Sequence, residues 1–152
     1  HFEKLGLRVV KVRTGVVLDE KGGALPKMIQ PIRVYAGAPL ASGSQYINWI
    51  HWEDWCLAVI HLIKEKQLKG PFNLVAPNPE TNEVLTRLIA KIVRRPLWLP
   101  NVPAFVLKLI LGEMASIVIN GHKVSSKKLE DSGYQFTHDT LETALIKLLG
   151  DD

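Results

Sequence analysis

The sequence contains a single cysteine, Cys56, so an internal disulfide is excluded. A free cysteine inside an apolar helical pattern usually behaves as a small buried hydrophobe, and we therefore expect Cys56 to lie in the core. Sparing use of cysteine is typical of proteins from a reducing compartment. The composition thus favours a cytoplasmic protein.

Long hydrophobic runs are also lacking. The most apolar region covers residues 104–119, but Lys108 and Glu113 interrupt it, and it is shorter than the ~20 apolar residues that a membrane-spanning helix needs. We therefore expect no membrane partner. The sequence shows no signal peptide and no initiator methionine, which we interpret as a fragment or a trimmed chain.

Excess charge of either sign is modest, with a formal net charge of +4 and a pI of about 9.2. Lys and Arg are scattered, whereas nucleic-acid binding usually shows a basic stripe with interleaved aromatic residues. The local cluster of Lys123, Lys127 and Lys128 is typical of the solvated face of a short helix. Nucleic acid is therefore not an expected partner.

Several catalytic motifs are absent as well. No glycine fingerprint for a dinucleotide occurs, no Gly-Lys-Ser/Thr is present, and none of the three tyrosines has a lysine four residues later. No nucleophile elbow appears, and the five histidines and one cysteine show no metal-ligand spacing. From these absences we predict no catalytic residue and no metal site within this chain.

The apolar residues that are present, 47% of the chain, are enough for a core and predict an α/β fold. Val9, Val10 and Val12 mark a strand over residues 7–12 whose continuous apolar character favours burial on both faces of a parallel sheet. Residues 72–75 form a second short strand, and the crossover of about sixty residues between them contains a helix, as in a βαβ unit.

This sheet is too small by itself. Exposing each of three valines costs roughly 1.5–3 kcal/mol, which together approaches the whole stability of a domain, about 5–15 kcal/mol. We therefore expect further strands, either from a missing N-terminal half or from a homodimer formed through the open sheet edge.

Helical periodicity, caps and breakers predict the other elements. Asp139, with Glu142 three residues later, resembles a capping box for the last helix, and Ser125 or Ser126 is placed to cap the helix before it. The predicted helices cover residues 25–32, 53–66, 81–92, 104–111, a short stretch ending before Gly133, and 140–149.

The segment from Ser42 to Asp54 is the most informative, because a Gly/Ser turn, an apolar run, a histidine and an acidic pair follow one another. His51 fits either a proton carrier facing a substrate cleft or a buried imidazole bonded to nearby backbone. Asp54 fits a helix cap better than a catalytic acid. Trp49 fits core packing better than ligand stacking.

Arginines at two other positions can be interpreted either as functional or as structural residues. Arg13, at a strand end, fits a phosphate or carboxylate contact, and an internal ion pair explains it equally well. The Arg94-Arg95 pair fits the C-terminal dipole of the helix that precedes it better than a functional site.

A series of motifs then occurs in a recognisable order. The chain resembles the C-terminal half of extended short-chain dehydrogenase/reductases, and more narrowly the nucleoside-diphosphate-sugar-epimerase-like family, some members of which are labelled cell-division-inhibitor-like. Its tail resembles that family's C-terminal domain of unknown function. The motifs are Val12-Arg13-Thr14-Gly15-Val16-Val17-Leu18, Gly22-Gly23-Ala24-Leu25, Trp49-Ile50-His51 with Asp54, Phe72-Asn73-Leu74-Val75-Ala76-Pro77, Arg95-Pro96, Leu111-Gly112-Glu113-Met114-Ala115, Gly121-His122-Lys123-Val124, and Leu129 through Gly133-Tyr134-Gln135-Phe136.

The resemblance implies the C-terminal part of a Rossmann-like parallel sheet and a smaller, mostly helical substrate lobe. It implies four segments: residues 1–22 end the Rossmann domain, 23–52 belong to the substrate lobe, 53–77 return to the Rossmann domain, and 78–152 form the helical substrate-lobe domain. It also implies NADP as cofactor, bound mainly by the missing N-terminal half. Here the cofactor side is represented by Gly15, Val16 and Val17, and the substrate side by Gln45, Asn48, Trp49 and His51.

One position departs from the family. Nucleotide-sugar epimerases usually carry an arginine two residues after the glutamine, and this sequence has Ile47 there. Isoleucine makes no charge-assisted bond to a diphosphate, which argues against a nucleotide-sugar substrate. The leading hypothesis is the substrate-lobe half of an NADP(H)-dependent oxidoreductase or epimerase-like protein with an unknown small-molecule substrate, inactive as supplied because the catalytic Tyr/Lys pair lies upstream. The alternative is a non-catalytic binding or regulatory module that kept the fold.

Overall fold

A computed structural model of the chain describes residues 5–112, 119 and 121–150. It confirms the α/β fold, in which short strands and helices are interspersed along the chain. The strands are β1 (Val10–Thr14), β2 (Val16–Leu18), β3 (Tyr46–Ile47), β4 (Trp49–His51), β5 (Gly70–Leu74) and β6 (Glu80–Thr81), and the helices are α1 (Leu25–Arg33), α2 (Trp52–Lys64), α3 (Asn82–Ile92), α4 (Ala104–Leu111), α5 (Lys127–Glu130) and α6 (Leu141–Leu149).

Two parallel strand pairs meet at Gly15. β1 pairs with β5, from Val10 opposite Gly70 to Thr14 opposite Leu74, and β2 pairs with β4. The Gly15 amide still donates to the Leu74 carbonyl at 3.1 Å, whereas the next amide, that of Val16, donates to the Asn48 carbonyl at 2.7 Å. The strand therefore changes partner within one residue, and the small antiparallel pair of β3 and β6 lies outside this arrangement.

The valine-rich opening strand is present, but the prediction that both its faces are buried is wrong for this chain. The strand starts at Val10, and its residues from Lys11 to Thr14 are exposed. Among the described residues only β5 pairs with β1, so the other edge and much of its surface have no cover. As a result, 42% of the surface of the apolar residue Val12 is exposed to water.

Two apolar clusters hold the elements together. One joins α1, α3 and α6 around Trp49, and the other joins α2 and β5 to α5 around Phe72.

Cys56, expected in the core, is exposed instead. The reason is that α2 turns Ala58 and Leu62 inward and leaves the opposite face, which carries Cys56 and the also exposed Ile63, towards solvent.

The helix ends described here follow capping chemistry, with one correction to the predicted caps. The Thr81 hydroxyl accepts from the Val84 amide at the start of α3. The last helix begins at Thr140, whose hydroxyl accepts from the Thr143 amide, so Thr140 rather than Asp139 is the cap. Before α5, it is the hydroxyl of Ser125 that accepts from the Lys127 amide.

Residues 113–115 of the Leu111-Gly112-Glu113-Met114-Ala115 motif lie outside the described residues, as do residues 113–118 of the apolar region 104–119. Within the described part of the chain, no helix has both the length and the apolar character to cross a bilayer.

Candidate functional site

A cavity of about 280 Å³ lies where β1 and β5 end, and it is the candidate site. Ligands of parallel α/β sheets bind at the carboxyl ends of the strands, and this is such an edge. The lining residues come from both strand ends, from the turn before β4 and from the C-terminal segment. They are Arg13, Thr14, Gly15, Asn48, Asn73, Val75 and Val124.

Gly15 lines this cavity where three chain segments pack closely together. A side-chain carbon placed there would lie 2.8 Å from Val75 Cγ1 and would press against the Asn48 carbonyl oxygen. Such distances are shorter than van der Waals contact, so any larger residue forces the strands apart. Glycine is therefore required here for close approach of neighbouring chain segments.

Asn48 connects the cavity to the C-terminal segment. Its Nδ2 donates to the His122 carbonyl at 2.8 Å, and its Oδ1 accepts from the Val124 amide at 2.8 Å. Asn73, at the end of β5, donates in the same way to the Ser125 carbonyl at 3.0 Å. The two amides fasten residues 122–125 over the strand ends and so place Val124 in the cavity wall.

Replacing Asn48 by alanine removes both bonds and is expected to lower the free energy of unfolding by about 1–2 kcal/mol. The larger local effect is expected in amide hydrogen exchange, where the Val124 amide should lose its protection before the strand amides do. Asn101→Ala is the matched control, because Asn101 is exposed and, among the described residues, its side chain bonds only the Ala41 carbonyl. Equal protection of Val124 in both variants would contradict the fastening role of Asn48.

The structure separates the other predicted residues from this cavity. Val16 and Val17 are half-buried in β2 and face β4 in register with Trp49 and Ile50. Gln45 is buried and braces its own loop, since its Nε2 donates to the Leu40 carbonyl. Of the seven predicted site residues, Gly15 and Asn48 line the cavity, and the roles assigned to the others stay predictions.

Trp49 is fully buried in the cluster that joins α1, α3 and α6. Its Nε1 donates to the Asn78 carbonyl at 3.0 Å, so the polar end of the indole is also satisfied inside the chain. These contacts are those of a packing residue. Contact with a substrate would require the surrounding helices to open.

His51 is the last residue of β4 and caps α2. Its Nδ1 accepts from the Glu53 amide at 3.2 Å, and the side chain is 1% exposed. Burial, together with the neighbouring His138, lowers the pKa of His51 below its usual value. Among the described residues its Nε2 has no hydrogen-bond partner, which makes His51 a buried imidazole with one unsatisfied nitrogen.

His51, Glu53 and His138 form a cluster that the sequence spacing did not indicate. His138 Nε2 donates to Glu53 Oε2 at 3.0 Å, and this bond lowers the pKa of the Glu53 carboxyl. The two imidazole rings touch, with centroids 3.8 Å apart. The three donor groups lie within 4.8 Å of one another and are of the kinds that bind zinc, although 85 residues separate Glu53 from His138 along the chain.

Asp54 has a role that sequence reasoning missed. It is fully buried, and its carboxylate accepts from the Thr137 and His138 amides at 2.8 Å and from the Tyr134 hydroxyl at 2.9 Å. Burial and the bond to Asp54 raise the pKa of Tyr134 well above its usual value. Asp54 is thus not the cap of α2, which is His51, but an anchor for the chain that precedes α6.

The parallel strand pairs and the site at the strand ends define an α/β protein of the Rossmann type. The expected resemblance to extended short-chain dehydrogenase/reductases, in the nucleoside-diphosphate-sugar-epimerase-like family, is confirmed. Residues 102–148 match the family model of a domain of unknown function, DUF1731.

The full chain has named relatives. It is 41% identical over 151 residues to the epimerase family protein YfhF of Bacillus subtilis, and this alignment covers 99% of this chain and 49% of that protein. The crystal structure of the human epimerase family protein SDR39U1 with NADPH matches with a TM-score of 0.89 at 32% identity, over 95% of this chain and 49% of that one. A nucleoside-diphosphate sugar epimerase from Corynebacterium glutamicum matches with a TM-score of 0.75 at 25% identity, over 99% of this chain and 28% of that one. The chain thus spans about half the length of the curated relatives it matches.

Proposed function

We propose that this chain is the substrate-lobe half of an NADP(H)-dependent oxidoreductase or epimerase-like protein. The observation that supports this most directly is the cavity at the carboxyl ends of β1 and β5, with Gly15 in its lining. In a parallel sheet this is the edge at which a nicotinamide cofactor and its substrate meet. The human relative, which is similar over 95% of this chain, was solved with NADPH.

The residues present fit only one end of such a cofactor. Gly15 lines the cavity without a side chain, and a side chain there would displace the Asn48 carbonyl and Val75, which form the adjoining wall. The described chain offers no glycine fingerprint for the pyrophosphate, so under this proposal an upstream segment binds that end. When bound, NADP(H) supplies the hydride chemistry, and this chain encloses the substrate on the opposite side of the cavity.

The open edge of β1 supports the same proposal. Lys11 to Thr14 are exposed along a strand that, in the described part of the chain, pairs on one side only, and further strands along this edge would cover Val12. We assign this edge to the upstream half of the same polypeptide, with a second copy of the chain as the other candidate. The cytoplasmic location, the four segment boundaries and the absence of nucleic-acid partners stay predictions.

Calorimetry with NADPH tests this function in two samples, the 152-residue chain and the longer natural polypeptide that contains it. We expect tight binding, in the micromolar range or below (roughly −8 kcal/mol), only in the longer polypeptide. Gly15→Ala in that polypeptide should weaken binding, because the added methyl group displaces the Asn48 carbonyl. Gly22→Ala is the matched control, since Gly22 has open space around it.

Two results would speak against the assignment. Tight NADPH binding by the 152-residue chain alone would place the cofactor site within this chain. A longer polypeptide that lacks the glycine fingerprint and the Tyr-x-x-x-Lys pair would favour the non-catalytic module instead.

A further inference from the structure

The polar groups that line the cavity are nearly all used within the chain. The Thr14 hydroxyl accepts from Trp55 Nε1 at 3.2 Å. The side-chain Nδ2 atoms of Asn48 and Asn73 donate to carbonyls of the C-terminal segment. These groups therefore hold the walls of the cavity in place and offer little to a ligand.

Arg13 is different. It lies at the carboxyl end of β1, where its backbone is paired with β5, and it lines the cavity. Its guanidinium makes no hydrogen bond or ion pair with any residue that the structure describes. The sequence left an internal ion pair and an anion contact open for Arg13, and within the described chain the ion pair is not formed. Of the residues that the structure describes, no aspartate or glutamate lines the cavity, so none of them offsets the guanidinium charge from the cavity wall.

The chemistry of this side chain selects the ligand. A guanidinium stays charged at every physiological pH and presents paired N–H donors that match the two oxygens of a carboxylate or phosphate. A cavity of about 280 Å³ has room for one small group of this kind beside a reacting carbon. The neighbouring amide groups are already oriented by the chain, which leaves the charge contact to Arg13.

We propose that Arg13 binds an oxyanion in this cavity, so that the small-molecule substrate carries a carboxylate or a phosphate group. The step from anion site to substrate class rests on the proposed function, whereas the anion site itself rests only on the cavity and the unpaired guanidinium. The same contact could be made by an acidic side chain from an upstream segment, and the experiment must separate that source from a small molecule.

The test is an NMR titration of the 152-residue chain with sodium phosphate and, separately, sodium succinate, with sodium chloride at matched ionic strength as the reference. We expect saturable shifts at the Arg13 side-chain Nε–H and the Gly15 amide, with a dissociation constant on the order of millimolar. The stronger of the two anions identifies the oxyanion class. Arg13→Gln should weaken anion binding about tenfold or more. Arg13→Lys should retain part of the binding, because lysine keeps the positive charge but lacks the paired N–H donors of the guanidinium.

Arg87→Gln is the matched control, because Arg87 is an exposed arginine on α3 that already pairs with Glu83. It should bind both anions as the unchanged chain does. Equal shifts with chloride, or unaltered binding in Arg13→Gln, would overturn the proposal.

The longer polypeptide separates the two sources of the oxyanion. If Arg13→Gln lowers its melting temperature while phosphate and succinate binding are absent even in the unchanged protein, the partner is an acidic side chain and the substrate proposal is wrong. Anion binding that persists in a polypeptide that fails to bind NADPH would instead overturn the proposed cofactor function and leave the anion site standing.

Discussion

Replacing Asp54 by alanine is expected to lower the free energy of unfolding by about 2–5 kcal/mol. The substitution leaves the Thr137 and His138 amides without their acceptor, and each buried unsatisfied donor costs about 1–3 kcal/mol. Tyr134 keeps a partner, because its hydroxyl also lies 2.9 Å from the Asp54 carbonyl oxygen. Urea unfolding with linear extrapolation measures the change.

The structural reason for this large effect is the position of Asp54. It lies in the first turn of α2, and its carboxylate fixes the segment that leads into α6, 80 or more residues later in the chain. Without it, we expect α6 to detach from α3 and the amides of residues 137 and 138 to exchange rapidly.

Two further variants sharpen the Asp54 test. Asp54→Asn keeps the shape but turns an NH₂ group towards a backbone N–H, so it should also destabilise the protein, by about 1–3 kcal/mol. Asp131→Asn removes only an exposed ion pair with Lys127 and should change stability by less than about 0.5 kcal/mol. If Asp54→Ala and Asp131→Asn behaved alike, the anchoring role of Asp54 would have to be abandoned.

Trp49→Ala is expected to destabilise the protein by about 3–5 kcal/mol, as for other large aromatic side chains removed from a core. The indole is fully buried between α1, α3 and α6, and its removal leaves a cavity and an unpaired Asn78 carbonyl. The change in melting temperature and in urea midpoint reports this loss.

Trp52 provides the comparison within the same segment. It is 41% exposed, so Trp52→Ala should cost less than about 1 kcal/mol. A small loss in Trp49→Ala combined with weakened substrate binding in the longer polypeptide would restore Trp49 as a substrate contact and contradict the packing role.

The local elements were largely predictable because their signals are local. The apolar spacing and the flanking Pro103 and Gly112 predicted the helix over residues 104–111, and the structure has α4 with these bounds. Thr81 was predicted and found at the start of α3. The last helix was predicted as well, but the choice between Asp139 and Thr140 as its cap depends on backbone geometry that composition does not report.

Burial was predicted less well. The Val9 to Val12 pattern indicated a strand covered on both faces, and β1 is instead exposed over most of its length. Cys56 was expected inside and lies outside. Both errors have one cause: a pattern shows which residues are fit to be buried, but the neighbouring segments decide whether a cover exists.

The candidate site could be understood only by combining the order of motifs in the sequence with the contacts in the tertiary structure. Gly15 and Asn48 could be selected from the order of motifs, but the reasons for their importance are tertiary, since Gly15 packs against Asn48 and Val75, and Asn48 bonds residues 122 and 124. The spacing of the residues did not indicate the cluster of His51, Glu53 and His138, because 85 residues separate Glu53 from His138 along the chain.

The sequence by itself determined the helices, the first two predicted parallel strands and the lack of a glycine fingerprint, because these depend on residue types at short spacing. The Rossmann-type class followed from the resemblance that the order of the motifs carries. Only the tertiary structure decided that Asp54 is an anchor and that the Arg13 guanidinium has no partner among the described residues around the cavity. It also decided for core packing at Trp49, which the sequence had favoured over ligand stacking. Hydrogen bonds and charges across 60 to 85 residues depend on where folding brings the segments together, and no local pattern encodes that distance.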